Sequence, residues 1–289
     1  MEIIQSFAQF DDGNFYLARY QKGSTWNNKY LNFYSFLLSY LTLKKYYGKV
    51  TMFCNQKAND SFIRYIPYDK VEIMENTNDF DFWSYYKVDV MKKMRGDFIH
   101  VDSDVFIFDN LFAPFIRNRN YDMIVQDRIK LAESQMNADA KKIIQYLKRE
   151  KYIDVSRYDG KFLSAGTIGM RTDVKEKYLE VCNRMKADYL AGKIRIDKKF
   201  VSILLEEFPL YLIALDNNYK VHEILPHNEV LEHGASKAAN SHKYTHMWFG
   251  SKFNPQYIEV MKLRIKKDFP KYSELLNVYE REVMSGVTI

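Results

Sequence analysis

The feature that most narrows the fold is the run Gly96-Asp97-Phe98-Ile99-His100-Val101-Asp102-Ser103-Asp104-Val105-Phe106-Ile107-Phe108. Its apolar parts have the β-branched and aromatic character of a strand buried on both faces, as strands of parallel sheets are. Asp102-Ser103-Asp104 interrupts them. Carboxylates inside such a strand are costly unless charge or hydrogen bonds compensate. The cheapest arrangement sets them at the carboxyl end of the strand, where open α/β sheets bind ligands. On an extended chain, residues two apart share a face, so Asp102 and Asp104 are expected to converge. Such a pair offers hard oxygens to Mg2+ or Mn2+, whose other positions water and substrate phosphate fill. A solvated turn between two strands is the alternative for an isolated Asp-x-Asp; the apolar flanks favour the site.

The rest of the chain supports a parallel sheet. A strand is expected over 2–10, ended by the turn Asp11-Asp12-Gly13, then a helix over 32–47 ended by Gly48. A strand at 49–54, a short helix at 59–66 before Pro67, a strand at 70–74 and a helix at 82–94 lead into the Asp-x-Asp strand. This alternation implies βαβ units and an α/β fold. Further strands are expected at 121–126 and, with a kink, at 161–171; helices at 174–189, 198–207 and from about 255 onward. One domain over 1–289 with a helical C-terminal extension is the simplest division.

Composition excludes several classes. Aromatic residues make up 16% of the chain, with 23 Tyr and 20 Phe, which reads first as a Tyr-rich core. The net charge of +6 favours anionic ligands but is too diffuse for nucleic acid. The densest basic stretch, Lys141 to Lys151, carries Ile143, Ile144, Tyr146 and Leu147 at helical spacing, an amphipathic helix with a solvated basic face. Cys54 and Cys182 have apolar neighbours and are expected as buried free thiols. Residues 1–10 lack a signal-peptide pattern and no apolar run approaches the ~18 residues of a membrane span. A cytoplasmic protein is expected, with work at a membrane surface left open.

The Asp-x-Asp segment resembles that of GT-A glycosyltransferases, particularly the galactosyltransferase- and glycogenin-like enzymes of glycosyltransferase family 8. Other elements follow in the family's order. Ser6 to Asp12 resembles the end of the first strand, where the nucleoside is seated, which singles out Ala8, Phe10 and Asp12. Lys87 lies where the family carries a basic residue near the donor. Ser164-Ala165-Gly166 resembles the Asn-Ala-Gly element that touches the donor sugar. Asp197 stands where the family has an Asp-Gln pair. His246 to Lys252 resembles a His-x-x-Gly-x-x-Lys element, whose His completes the metal site and whose Gly and Lys contact the diphosphate. Ser164 and Lys198 depart from the family's Asn and Gln, and Gly250 is displaced by one residue.

The resemblance implies the GT-A, or nucleotide-diphospho-sugar transferase, fold: a Rossmann-like, mostly parallel central sheet flanked by helices. It implies transfer from a nucleoside diphosphate sugar, uridine by analogy, to a glycan, lipid-linked or protein acceptor. Mn2+ or Mg2+ would be held by Asp102, Asp104 and His246, with Asp102 and Ser103 also on the donor, and the anomeric configuration would be retained. An inverting course needs a carboxylate base, for which Asp127 and Asp197 are the candidates; Lys252 would assist departure of the diphosphate.

Each residue has a plainer reading. His246 would otherwise be a loop histidine beside Trp248, and His242 competes as the ligand; His222, His227 and His233 show no metal spacing. Ser164-Ala165-Gly166 would be a tight bulge, Lys87 a solvated helix residue and Asp197 a helix N-cap. Two other functions remain. A sugar nucleotidyltransferase would carry a Gly-rich basic loop after its first strand, whereas Asp11-Asp12-Gly13-Asn14 is acidic. A non-catalytic glycan- or nucleotide-binding module would share the fold.

Overall fold

A computed structural model describes residues 1–10, 29–130, 135–233, 235–247, 254 and 256–285. In chain order the elements are β1 (Glu2–Phe7), α1 (Lys29–Tyr47), β2 (Thr51–Cys54), α2 (Gln56–Ser61), β3 (Lys70–Ile73), α3 (Tyr85–Lys93), β4 (Phe98–Val101) and β5 (Val105–Ile107). They continue with α4 (Ala113–Arg117), β6 (Met123–Lys130), α5 (Gln135–Glu150), β7 (Lys161–Leu163), β8 (Thr167–Met170), α6 (Thr172–Leu190) and α7 (Lys198–Asn217). Then come β9 (Val221–Leu225), α8 (His227–His233), α9 (Ala235–Ser241), β10 (Tyr244–His246), α10 (Gln256–Asp268) and α11 (Ser273–Met284). The fold class is the expected one, mixed α/β with a mostly parallel central sheet flanked by helices. Among the described residues no helix is long and apolar enough to cross a membrane.

The chain forms two compact units. The first comprises Glu2–Phe80, Val101–Asn110 and Lys243–Ile289. In it β3, β2 and β1 lie side by side and parallel, in register from Ile4↔Thr51 to Phe7↔Cys54 and from Thr51↔Lys70 to Cys54↔Ile73. Residues 31–43 of α1 are buried throughout. A helix apolar on every side belongs inside a core, and α1 packs on β5, α10 and α11. The helical C-terminal segment is thus part of this core. Tyr279 stacks on Phe33 at 4.0 Å, and Glu280 accepts from Tyr34 and pairs with Lys262 at 2.8 Å. Gly48 ends α1 at φ 81, a conformation glycine takes without cost.

The second unit comprises Asp81–His100 and Leu111–His242, together with Met1. Its strand order is β4-β8-β6-β7, with β9 beside β6. β6 runs parallel to β9 and antiparallel to β7 and β8. The kinked strand expected over 161–171 is therefore two short strands along one long partner. Ser164-Ala165-Gly166 turns out of line between them, tethered by Ser164 N–H to Asp127 O at 3.1 Å. The helix expected over 198–207 runs on through Pro209 to Asn217. Proline cannot donate to the carbonyl four residues back; that carbonyl, on Leu205, accepts the Tyr85 hydroxyl at 3.0 Å instead.

Gly169 marks the tightest point of this unit. A Cβ there would stand 2.3 Å from Ile124 Cγ2, 3.0 Å from Ile99 Cγ1 and 3.1 Å from Phe115 Cε1. Gly169→Ala is expected to destabilise the protein by about 1–3 kcal/mol, the usual range for overpacking, read as a lower urea midpoint. An unchanged midpoint would show that β8 shifts freely.

Candidate functional site

The Asp-x-Asp run is not one strand. β4 stops at Val101, Asp102 to Asp104 form a turn closed by Val105 N–H to Asp102 O at 3.0 Å, and β5 begins at Val105. The two carboxylates therefore converge across a turn, not along one face of an extended chain. The physical reason lies in the first unit. β5 pairs antiparallel with β10, setting His246 opposite Val105, and Met247 N–H donates to Asp104 O at 3.0 Å. This pairing carries the His246 imidazole to Asp104, Nε2 to Oδ1 at 3.4 Å.

One ligand atom each from Asp102, Asp104 and His246 lies within 4.8 Å of the others. Ligands about 2.1 Å from one octahedral ion stand roughly 3–4.2 Å apart, so small side-chain adjustments complete the set. Two carboxylates and an imidazole suit Mn2+ or Mg2+. Asp104 and Ser103 are buried, and Asp102 and His246 are half-buried, so a cation here would meet a partly desolvated site in which charge interactions are strong.

α1 holds the turn from behind. Ser35 Oγ donates to Ser103 O at 3.0 Å, and Ser39 Oγ to Val105 O at 2.6 Å. Thr42 Oγ1 accepts from Ile107 N–H at 3.3 Å. Gln5 Nε2 donates to Ser39 Oγ at 2.8 Å, and Gln5 Oε1 accepts from the Tyr68 hydroxyl at 2.9 Å. Burial raises the Tyr68 phenol well above its ordinary value, so it remains a donor. None of these supports was anticipated. The available signal was Ser35, Ser39 and Thr42 at helical spacing on one face of an otherwise apolar helix.

The end of β1 is fixed in the same unit. Gln9 N–H donates to Asn55 Oδ1 at 3.0 Å, Asn55 Nδ2 to Gln9 O at 2.7 Å, and Lys57 Nζ to Phe10 O at 2.8 Å. Asn55 is also the N-cap of α2. Ala8 is buried and Phe10 half-buried. Asp11, Asp12, Trp248, Gly250 and Lys252 lie outside the described residues.

The other expected residues gather in the second unit. Lys87 is not a solvated helix residue: it is buried, its Nζ 2.9 Å from Glu206 Oε1 and 3.2 Å from Ala165 O. Ala165 N–H donates to Glu207 Oε1 at 3.3 Å, so α3 and α7 together brace the Ser-Ala-Gly turn that includes Gly166. Asp127 is fully buried and accepts from Gln126 Nε2 at 3.3 Å. Burial first, and then the Lys87 charge, hold the His100 imidazole well below its ordinary value and therefore neutral. Asp197 caps α7, accepting from Lys199 N–H at 3.0 Å, and its own N–H donates to Asp139 Oδ2 at 2.9 Å. Glu206 and Glu207 were not singled out because their partners are distant in sequence. His242, the rival ligand, pairs with Glu229 at 2.8 Å. His227 Nδ1 lies 2.5 Å from Arg128 O, and the His222 ring packs against Tyr121.

Comparison with known families decides the relationship. Residues 1–278 match the model of a family of unknown function, DUF6734. The chain belongs to that family. No curated protein matches it. Among solved structures it is similar to the apo form of mouse xyloside xylosyltransferase 1, at 11% identity and a TM-score of 0.42, over 85% of this chain and 96% of that one. It is also similar to a glycosyltransferase involved in glycosylating the major capsid of PBCV-1, at 10% identity and a TM-score of 0.43, over 91% of this chain and 100% of that one.

Proposed function

We propose that this member of the family is a GT-A glycosyltransferase acting on a nucleoside diphosphate sugar, with a divalent cation on Asp102, Asp104 and His246. The observation that carries the reading is the convergence of those three ligand atoms within 4.8 Å at the end of an apolar strand. First-unit residues alone support it. When bound, the cation neutralises charge growing on the departing diphosphate. The protein's part is to hold the ligand set: the α1 hydroxyls fix the backbone of the turn, and the β5–β10 pairing delivers the imidazole. His246 would offer one ring nitrogen to the ion.

Ala8, Phe10 and Asp12 are proposed to seat the nucleoside, uridine by analogy, and Gly250 and Lys252 to contact the diphosphate. Retention of configuration follows from the resemblance to glycosyltransferase family 8. Buried free Cys54 and Cys182 are in keeping with a reducing compartment such as the cytoplasm. The test is calorimetric titration of uridine diphosphate with and without Mn2+, followed by a screen of uridine diphosphate sugars for hydrolysis or transfer. Binding that ignores Mn2+ would sink the cation site; binding without turnover of any sugar would favour a non-catalytic module.

A further inference from the structure

We propose that Asn32 is a nucleoside-recognition residue whose buried carboxamide engages an adjacent donor and acceptor on the donor nucleotide. This rests on the reading of Asp102, Asp104 and His246 as the donor's cation site. Asn32 is 1% exposed, and neither its amide nitrogen nor its amide oxygen has a hydrogen-bond partner among the described residues. Leaving buried polar atoms unmatched is destabilising, and native proteins rarely do so without a use for the group.

Its position on α1 indicates the use. Asn32 lies one helical turn before Ser35 and two turns before Ser39, within about 20° of Ser39 around the axis. Ser39 Oγ meets the carbonyls of Val105 and Asp102, at 2.6 and 3.5 Å, at the two ends of the turn, and Ser35 Oγ donates to Ser103 O between them, so the apex of the turn lies at Ser35. Asn32, one helical turn back from Ser35, lies beyond that apex. The polar stripe that secures the cation ligands therefore continues past them and ends on an unmatched carboxamide.

The chemistry of the amide selects the ligand. A cation would engage the oxygen and leave the nitrogen unmatched. Phosphate oxygens only accept, so a diphosphate would engage the nitrogen and leave the oxygen unmatched. Both atoms are satisfied by a group that donates and accepts side by side. A uridine nucleotide has two such groups, the ribose cis-diol and the imide edge of its base.

The test compares the full-length protein with Asn32→Leu, which keeps the side chain's shape and removes its polarity. Each is titrated, in Mn2+, with uridine diphosphate, its 2′-deoxy analogue and its N3-methyl analogue, and each is melted without nucleotide. Asn32→Leu is expected to melt at or above the wild-type temperature, because an unmatched buried amide has gone. It should bind uridine diphosphate about tenfold or more weakly, the effect of one lost hydrogen-bonded contact. One analogue should weaken the wild type to a similar degree yet bind the variant as uridine diphosphate does. The deoxy analogue doing so identifies the ribose, and the methyl analogue identifies the base. Unchanged affinity in Asn32→Leu would overturn the proposal, as would both analogues weakening both proteins alike. A large fall in melting temperature, repeated in Asn32→Ala, would assign Asn32 a structural role instead. The two readings fail separately. A wild type that binds no uridine diphosphate removes the cation site and Asn32 with it. Loss of binding in Asp104→Ala but not in Asn32→Leu removes Asn32 alone.

Discussion

Asp104→Ala should abolish Mn2+-dependent binding of uridine diphosphate and any sugar transfer, while leaving the melting temperature close to that of the wild type. Asp104 is tied to the His246 segment through both its side chain and its backbone. Its carboxylate lies 3.4 Å from His246 Nε2, and its carbonyl accepts the Met247 N–H that registers β10 against β5. Alanine removes the first contact and keeps the second, so the turn and the strand pairing persist. With only one carboxylate and an imidazole left, the cation loses a hard ligand and much of its neutralising charge. The effect should exceed the ~10²–10³-fold typical of one lost electrostatic contact to a transition state, because a cation held there would supply several such contacts. Calorimetry with and without Mn2+ and a transfer assay make the comparison. A variant that still binds nucleotide in a Mn2+-dependent way would show that the cation sits elsewhere.

The second large effect concerns stability and lies in the second unit. Lys87→Met should cost about 3–5 kcal/mol, the range for removing one partner of a buried ion pair. Glu206 is 2% exposed, and its carboxylate would stay behind without the ammonium 2.9 Å away. Adding Glu206→Leu to Lys87→Met should recover most of that loss, since an apolar pair of similar volume avoids the desolvation penalty. The double-mutant cycle is read from urea midpoints. A single variant as stable as the wild type would mean that solvent already reaches the pair.

The fold and the site were legible in the sequence to different depths. The alternation of strands and helices and the two carboxylates in an apolar run could be read because each is a local pattern with a free-energy cost attached. The geometry of the carboxylates could not. Asp102 to Asp104 read as extended because their neighbours on both sides favour strand. The turn exists because β5 leaves to pair with β10, a partner over a hundred residues away and only three residues long. The helix expected over 198–207 runs on through Pro209 because the Tyr85 hydroxyl takes the carbonyl that proline leaves without a donor, a partner distant in sequence. His246 and the Ser-Ala-Gly turn were found through resemblance. Ser35, Ser39 and Thr42 were open to direct reading, as polar residues at helical spacing in a helix otherwise apolar on every side.

The composition of the first unit has a consequence for how the protein is made. That unit is built from three separated stretches, the last beginning at Lys243. During synthesis, β1, α1 and the Asp turn leave the ribosome long before β10 supplies the imidazole and α10 and α11 cover α1. Until then, one of the most apolar helices of the chain has no lid. The proposed cation site would therefore be among the last features to mature, and the nascent chain must pass through a long interval with α1 uncovered. A stalled chain ending before residue 243 should be a chaperone client with no affinity for nucleotide, however well its earlier strands have paired.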